Sequence, residues 1–469
     1  MRNILCYTLI LIFFSFNTYA NDLNINIKEA TTKNKIHYLY VEHHNLPTIS
    51  LKFAFKKAGY AYDAFDKQGL AYFTSKILNE GSKNNYALSF AQQLEGKGID
   101  LKFDIDLDNF YISLKTLSEN FEEALVLLSD CIFNTVTDQE IFNRIIAEQI
   151  AHVKSLYSAP EFIATTEMNH AIFKGHPYSN KVYGTLNTIN NINQEDVALY
   201  IKNSFDKEQI VISAAGDVDP TQLSNLLDKY ILSKLPSGNN KNTIPDTTVN
   251  REDTLLYVQR DVPQSVIMFA TDTVPYHSKD YHASNLFNTM LGGLSLNSIL
   301  MIELRDKLGL TYHSSSSLSN MNHSNVLFGT IFTDNTTVTK CISVLTDIIE
   351  HIKKYGVDED TFAIAKSSIT NSFILSMLNN NNVSEILLSL QLHDLDPSYI
   401  NKYNSYYKAI TIEEVNKIAK KILSNELVII EVGKNNNING KQIDAKKHIP
   451  WLSIQVIVFT TSILLGCIK

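Results

Sequence analysis

Histidines are the first residues to consider for chemistry, because imidazole binds zinc and serves as a general base near neutral pH. A zinc peptidase site on one helix needs two histidines and a glutamate in an HExxH or HxxEH pattern, and the sequence contains neither. His43 and His44 are adjacent on a predicted strand and therefore point to opposite faces. His152, His170 and His176 are scattered, which favours surface or hydrogen-bonded roles. The chain also has no GxSxG elbow and no P-loop, so it offers no self-contained nucleophile.

The composition is that of a globular protein with more than one domain. Of the 469 residues, 44% are hydrophobic and 19% are charged, which supports two or three cores and argues against disorder. The net charge of -8 is spread along the chain, without the basic stripe expected of a nucleic-acid-binding protein. Cys131 and Cys341 lie in amphipathic helical patterns, where buried free thiols are expected, and no CxxC is present.

The elements that would position any site are indicated by an internal repeat. Three segments of the first half have counterparts, in the same order, about 210 to 217 residues later. Two of them read as strands, and the third as a helix that ends at glycine before a strand. The pairs are 47–54 with 263–270, 94–98 with 304–309, and 210–216 with 427–433. The spacing is too long for a solenoid and indicates two homologous domains.

The predicted fold class is α+β. Strand pairs bracket long helical stretches in both halves, so we expect each domain to be an antiparallel sheet covered by helices. The boundaries are 22–235 for the first domain and 250–445 for the second, joined by a polar linker at 236–249.

The amino terminus predicts export. Arg2 precedes an apolar run at 5–16, and the segment Thr18-Tyr19-Ala20 then has small residues at the two positions that a signal peptidase reads. We therefore expect 1–20 to be a signal peptide and the mature chain to be periplasmic.

The carboxyl terminus ends in an uncharged segment, 449–468, that is long enough to span a bilayer. Lys446 and Lys447 precede it, on the outer side of the membrane if the body is exported, against the usual charge bias. Two alternatives remain open for this segment: a transmembrane helix that anchors the chain, or a buried or interfacial helix.

Several stretches resemble peptidase family M16, the pitrilysin, insulinase and mitochondrial processing peptidase family. Ala58-Gly59-Tyr60 leads to Gly69-Leu70-Ala71 at the start of a helix, as in the family segment where Gly-Leu-Ala precedes the inverted zinc motif. The resemblance spans about 35–435 and implies two domains that face each other like a clam shell. Further matching stretches occur in the family's order at 174–178, 183–185, 215–220, 291–295 and 303–312.

The resemblance also identifies a degenerate metal site. The two family histidines fall on Tyr72 and Lys76, the catalytic glutamate falls on Ser75, and the downstream glutamate falls on Glu148 or Gln149. Tyrosine and serine are poor zinc ligands at neutral pH, and the ammonium of lysine repels a cation. Without a metal-bound water and a base, hydrolysis has no nucleophile. We therefore predict no catalytic residue, no metal and no cofactor in this chain, and we expect the zinc in a partner subunit.

The second-domain segment resembles that of bacterial two-subunit members, in which the zinc-free chain contributes an arginine and a tyrosine to the shared chamber. Arg305 and Tyr312 match that pattern, which implies that they bind the substrate. Both side chains are hydrogen-bond donors that can hold a carbonyl oxygen or an oxyanion. Without the resemblance, Arg305 is interpreted as a solvated cation at a helix end and Tyr312 as an aromatic residue of a strand.

The resemblance thus implies a non-catalytic peptidase subunit that pairs with a zinc-bearing M16 homologue and helps to bind extended peptides. One alternative is a structural scaffold without a role in proteolysis, like the core subunits of the respiratory cytochrome bc1 complex. The other is an active peptidase that uses a metal site of a different kind.

Overall fold

The computed structural model describes residues 25–136, 138–434 and 438–443. The predicted signal peptide at 1–20 and the apolar segment at 449–468 lie outside the described residues. Within those ranges the chain forms two six-stranded sheets, one in each half, together with a two-stranded hairpin. None of the helices in the described part has both the length and the apolar character that crossing a bilayer requires.

The first half runs from β1 to α8. Its strands are β1 (Lys28–Thr31), β2 (His37–Glu42), β3 (Thr48–Lys56), β4 (Gly81–Ser82), β5 (Asn85–Tyr86), β6 (Asp100–Ile105), β7 (Asn109–Leu117) and β8 (Ile210–Gly216). Its helices are α1 (Leu70–Asn79), α2 (Ala87–Gly96), α3 (Phe121–Phe133), α4 (Gln139–Leu156), α5 (Pro160–Ile172), α6 (Leu186–Asn190), α7 (Gln194–Ser204) and α8 (Pro220–Leu227).

The second half runs from β9 to β14. Its strands are β9 (Leu255–Gln259), β10 (Ser265–Asp272), β11 (Thr311–Asn320), β12 (Asn325–Thr333), β13 (Val428–Gly433) and β14 (Lys441–Gln442). Its helices are α9 (Tyr281–Asn288), α10 (Ile299–Met301), α11 (Val338–Tyr355), α12 (Glu359–Ser376), α13 (Asn380–Leu392), α14 (Tyr399–Ala409) and α15 (Ile412–Leu423).

The two sheets share the arrangement of five of their six described strands. The edge strands β1 and β14 differ, because β1 precedes β2 and pairs with it antiparallel, whereas β14 follows β13 and pairs with β9 in parallel. Their orders are β1-β2-β8-β3-β7-β6 and β14-β9-β13-β10-β12-β11, so the repeated sequence segments occupy equivalent positions. In each sheet the late strand, β8 or β13, lies between the first two long strands and runs parallel to one of them. The predicted pair of helix-covered α+β sheets is confirmed, but the sheets are mixed and not wholly antiparallel. A strand inserted between two oppositely directed strands must be parallel to one of them.

Each half contributes one helix to the sheet of the other half. Helix α13 lies on the first sheet, where the Ser384 hydroxyl hydrogen-bonds Ser50 at 2.8 Å and Glu385 pairs with the buried Lys52 at 2.8 Å. Helix α5 packs in the same apolar cluster as β10 and β13. Both sheets are therefore buried on two faces, which accounts for the unbroken buried runs of β8 and β13.

The linker between the halves is anchored on the first half. The fully buried Asp206 accepts N–H hydrogen bonds from Asn239 and from Asn240, the latter at 2.9 Å. The His176 Nε2 atom donates to the carbonyl oxygen of Pro245 at 2.8 Å. These contacts hold the linker along the protein surface, so the described part of 236–249 is a fixed connection.

Candidate functional site

Helix α1 carries the predicted metal positions, and its amino terminus is held by a buried carboxyl group. Asp63 accepts hydrogen bonds from the N–H groups of Gly69 at 2.9 Å and Ala71 at 3.1 Å. Burial raises the pKa of Asp63 to about 8, and the backbone donors oppose that rise. Gly69 has a φ of 91°, and a Cβ atom there would lie 2.8 Å from the Gly184 nitrogen. The Gly-Leu-Ala entry therefore fixes the position and direction of the helix.

Tyr72, at the first family ligand position, lies in an aromatic cluster. Its ring packs edge-on against Tyr183 with 4.7 Å between centroids and lies 6.4 Å from the ring of His152. The Lys76 Nζ atom lies 4.8 Å from the Tyr72 ring centroid, which is a cation–π distance. Burial raises the pKa of Tyr72, so the phenol stays neutral and does not provide an anionic ligand.

Ser75, at the position of the catalytic glutamate, has an internal role. It is 2% exposed, and its hydroxyl donates to the Tyr72 carbonyl oxygen at 2.7 Å. A hydroxyl bonded to its own helix has no negative charge and takes no proton from water near neutral pH. The position therefore lacks a general base.

Helices α1 and α4 are antiparallel neighbours, and two contacts define their register. Tyr72 lies against His152, and two turns further along α1 the Glu80 carboxylate binds Arg144 at 2.6 Å. Lys76, at the second family ligand position, lies midway along α1 between these two contacts. Because side chains four residues apart share a helix face, this position lies opposite Glu148.

The register distinguishes the two candidates for the downstream glutamate. Glu148 is exposed and pairs with Arg144 at 2.7 Å. Gln149 is buried and turned toward the start of α1, where its Nε2 atom donates to the Tyr183 carbonyl oxygen at 2.9 Å. Glu148 is thus the residue that faces Lys76 across the two helices.

The side chains gathered on α1 and α4 do not fit a zinc ion. Tyr72 offers a neutral phenol and Ser75 a hydroxyl that is already hydrogen-bonded. Lys76 offers an ammonium, and Glu148 offers the one carboxylate. A divalent cation needs three or four nitrogen, sulfur or oxygen donors, and the ammonium repels it. Across the ranges that the structure describes, no three His, Cys, Asp or Glu side chains form a group that could hold a metal ion.

Arg305 and Tyr312 lie in the second half, on either side of one chain reversal. Arg305 is half-buried in the π-helical turn Ile302–Asp306, and no described residue provides its side chain with a hydrogen-bond or ion-pair partner. Gly309, with a φ of 61°, donates its N–H to the Arg305 carbonyl oxygen at 2.8 Å and ends the helical segment. The chain then enters β11, an edge strand of the second sheet.

Tyr312 projects from that edge because of a β-bulge. Thr311 pairs with Thr333 and His313 pairs with Phe332, so Tyr312 is the extra residue between two consecutive pairs. Its side chain is 85% exposed, which is unusual for a large aromatic residue in a strand. The structure thus leaves a guanidinium and a phenol free to donate hydrogen bonds. Neither contacts the α1–α4 positions through a hydrogen bond or ion pair within the described ranges.

Gly292 allows the segment that precedes α10 to pack closely against the second sheet. It lies in the π-helical turn Thr289–Gly293, and a Cβ atom there would come within 2.2 Å of the Ser316 nitrogen on β11. A Gly-Gly pair in a sequence indicates that another backbone can approach closely, and here the approaching backbone is the protein's own edge strand β11.

Asp63 is a residue that the sequence analysis does not identify. The only signal for its capping role in the sequence is an acidic residue six positions before Gly69.

Both halves of the chain match descriptions of family M16. Residues 43–186 match insulinase (peptidase family M16), and residues 191–369 match the peptidase M16 inactive domain. The chain is 26% identical over 411 residues to the non-peptidase homolog YmxG of Helicobacter pylori, a match that covers 84% of this chain and 92% of that protein. It is also 24% identical over 361 residues to the uncharacterized zinc protease Rv2782c of Mycobacterium tuberculosis, and this match covers 76% of this chain and 82% of that protein.

A solved structure shares the fold. The crystal structure of a peptidase M16 inactive domain from Pseudomonas fluorescens superposes with a TM-score of 0.82 at 23% identity, covering 89% of this chain and 100% of that one. The two sheets and their helices are consistent with the clam-shell fold of M16 proteins. The predicted family is confirmed, and the residues present at the family's metal positions on α1 and α4 do not fit a zinc ion. The chain therefore belongs to peptidase family M16, in which it is a catalytically inactive, M16-like member.

Proposed function

We propose that this chain is the non-catalytic subunit of a two-chain peptidase and that Arg305 and Tyr312 help to hold the peptide substrate. The observation that carries the proposal is the donor pair around the Gly309 turn. Tyr312 is 85% exposed on a bulge, and Arg305 has no carboxylate partner among the described residues. A guanidinium and a phenol in this state can both donate to a peptide carbonyl oxygen or to the oxyanion that forms during attack.

The proposal requires a zinc-bearing M16 homologue as partner. Tyr72, Ser75 and Lys76 provide neither a metal-bound water nor a base, so the nucleophile has to come from another chain. The peptide would bind in an extended conformation along a sheet edge. Strand β6 supports this mode, because among the described strands it pairs only with β7 and leaves its other edge open.

Reconstitution with the zinc-bearing homologue tests the proposal. The double variant Arg305→Ala/Tyr312→Phe removes both donors, and we expect kcat/KM for peptide hydrolysis by the pair to fall by about 10²-fold or more. The matched control is Lys354→Ala/Tyr355→Phe, which removes a cation and an exposed phenol from the end of α11. Sedimentation of each variant with the partner separates a loss of substrate binding from a loss of pairing.

The outcomes distinguish the functions. If Arg305→Ala/Tyr312→Phe still pairs with the homologue but the pair loses peptide hydrolysis, and the control variant keeps it, the result supports a substrate-binding subunit. Unchanged activity in the donor variant would favour a structural M16-like scaffold. Stoichiometric zinc in the purified chain, with hydrolysis by that chain alone, would favour an active peptidase with a different metal site.

We also propose that the chain works after export, as the apolar run at 5–16 suggests. Fractionation of cells that produce the full-length chain tests this. The mature protein is expected in the periplasmic fraction, and membrane pelleting that depends on 449–468 would indicate an anchor. Recovery of an uncleaved chain from the cytoplasm would contradict export.

A further inference from the structure

A concave site lies in the first half among α1, α3, α4 and α7, and its lining residues belong neither to the α1–α4 cluster described above nor to the Arg305 turn. It has a volume of about 540 Å³, within the roughly 300–1,000 Å³ range of small-molecule sites. Its floor is apolar and comes from four helices and the segment after α7. The floor residues Ile77, Ile132, Phe142, Val197 and Phe205 are all buried.

The mouth of this cavity is cationic. Lys83, Lys202 and Lys234 line it and are exposed, whereas no Asp or Glu occurs among the described lining residues. Lys83 and Lys202 have no ion-pair or side-chain hydrogen-bond partner within the described ranges. The Lys234 ammonium contacts neutral groups: the Ser129 hydroxyl at 2.8 Å and the ring of Phe133 at 5.3 Å. In a chain with net charge -8, an acid-free mouth with three lysines marks a site for an anion.

The fold holds these lysines in place. The backbone N–H of Lys83 donates to the Asn134 carbonyl oxygen at 2.8 Å, and a β-bridge joins Ser82 to Thr135, so the β4–β5 hairpin is attached to the end of α3. Lys202 lies one turn after Ala198 on the face of α7 that lines the cavity. The cationic mouth is therefore part of the secondary-structure framework.

We propose that this cavity binds a single-chain amphiphilic anion, a fatty acid of medium length. The alkyl chain would cover the apolar floor, where burial of each methylene removes apolar surface from water. The carboxylate would lie among the three lysines and accept charge-assisted hydrogen bonds from Lys83 and Lys202, which have no side-chain partner among the described residues. A peptide carboxyl terminus fits the mouth less well, since its backbone amides would find no polar partner on the floor.

Calorimetric titration of the full-length chain with octanoate, decanoate and dodecanoate, each below its micellar concentration, tests the inference. We expect one saturable site and a Kd that falls about fourfold per added methylene until the floor is covered. Dodecanol and dodecyltrimethylammonium, which lack the negative charge, are expected to bind at least tenfold more weakly than dodecanoate. Absence of saturation, or equal binding of all three dodecyl compounds, would overturn the proposal.

Variants assign the site to this cavity. Lys83→Gln/Lys202→Gln is expected to weaken dodecanoate binding about tenfold, whereas Lys417→Gln/Lys420→Gln, a matched pair of exposed lysines on α15, leaves it unchanged. Equal losses in both variants would show general charge attraction and contradict a specific mouth.

Filling the cavity gives an independent test. Ala198→Trp places an indole in the space from an exposed position of α7, so the fold tolerates it, and we expect dodecanoate binding to be lost. Leu199→Trp is the control, because Leu199 is the next residue on the same helix, is exposed and does not line the cavity. Full binding by the Ala198 variant, with helical content unchanged, would place the ligand elsewhere and refute the assignment.

Discussion

Replacing Glu431 by glutamine should stabilise the protein at alkaline pH and have little effect under acidic conditions. Glu431 lies in the middle of β13 with 0% exposure, and neither carboxylate oxygen has a hydrogen-bond partner among the described residues. Its neighbour across the ladder is Ile267 on β10, part of the apolar core of the second half. Burial raises the pKa of this carboxyl group from 4.5 to about 7, because the charged form loses its hydration, and the nearby Ser265 hydroxyl opposes part of that rise.

The magnitude follows from that shift. A pKa difference of about 2.5 units corresponds to roughly 3 kcal/mol between the two protonation states. Because the folded-state pKa is the higher one, stability is fully present below pH 4.5 and is lost as the pH rises through 7. Glutamine is neutral at every pH and has nearly the shape of the protonated acid. Glu431→Gln is therefore expected to raise the free energy of unfolding by about 3 kcal/mol at pH 8 and by less than about 1 kcal/mol at pH 5.

Urea unfolding followed by circular dichroism, at pH 5 and pH 8, measures this difference. Other titrating groups are common to both proteins and cancel when the variant is compared with the wild type. Glu95→Gln, at an exposed position of α2, is the control and should change stability little at either pH. A difference between wild type and Glu431→Gln that is the same at both pH values would refute the assignment of a buried, unpaired carboxylate.

Three further predictions concern the helix and turn that position the candidate site. Asp63→Ala removes the acceptor for two N–H groups of α1, and chemical unfolding should show a loss of about 1–2 kcal/mol; an unchanged midpoint would contradict the capping role. Gly292→Ala forces a methyl group against β11, so we expect the free energy of unfolding to fall by roughly 1–3 kcal/mol, seen as a lower melting temperature. An unchanged melting temperature would mean that the turn moves away from β11 without cost. The triple variant Tyr72→His/Ser75→Glu/Lys76→His should bind about one zinc per chain by elemental analysis, because Glu148 already faces the helix, and failure to bind would count against the α1–α4 register.

The doubled architecture could be predicted from the sequence because its signals are local. A proline one or two residues before β3 and β10, and a glycine at the end of β8 and of β13, mark equivalent strands in both halves. Tyr72, Ser75 and Lys76, which follow the Gly-Leu-Ala signature, were predicted to lie on one helix. The structure places these positions on one helix, as the spacing requires.

The remaining features depend on contacts between distant parts of the chain. The insertion of β8 and β13 and the exchange of α5 and α13 are non-local, so no window of sequence contains them. Lys52 interrupts the apolar pattern of β3, and its burial is explained only by Glu385 on a helix of the other half. The exposure of Tyr312 likewise depends on how β11 pairs with β12, because Tyr312 has no counterpart on β12.

We propose that this chain cannot hydrolyse peptides alone and that it completes a zinc-bearing partner. The most direct test compares hydrolysis of one extended peptide by this chain, by the zinc-bearing homologue and by an equimolar mixture, with the zinc content of each protein measured in parallel. We expect hydrolysis by the mixture well above the sum of the separate chains, with zinc in the homologue alone. Hydrolysis by this chain alone with bound zinc, or equal rates for the homologue with and without this chain, would show that the chain is not a non-catalytic subunit.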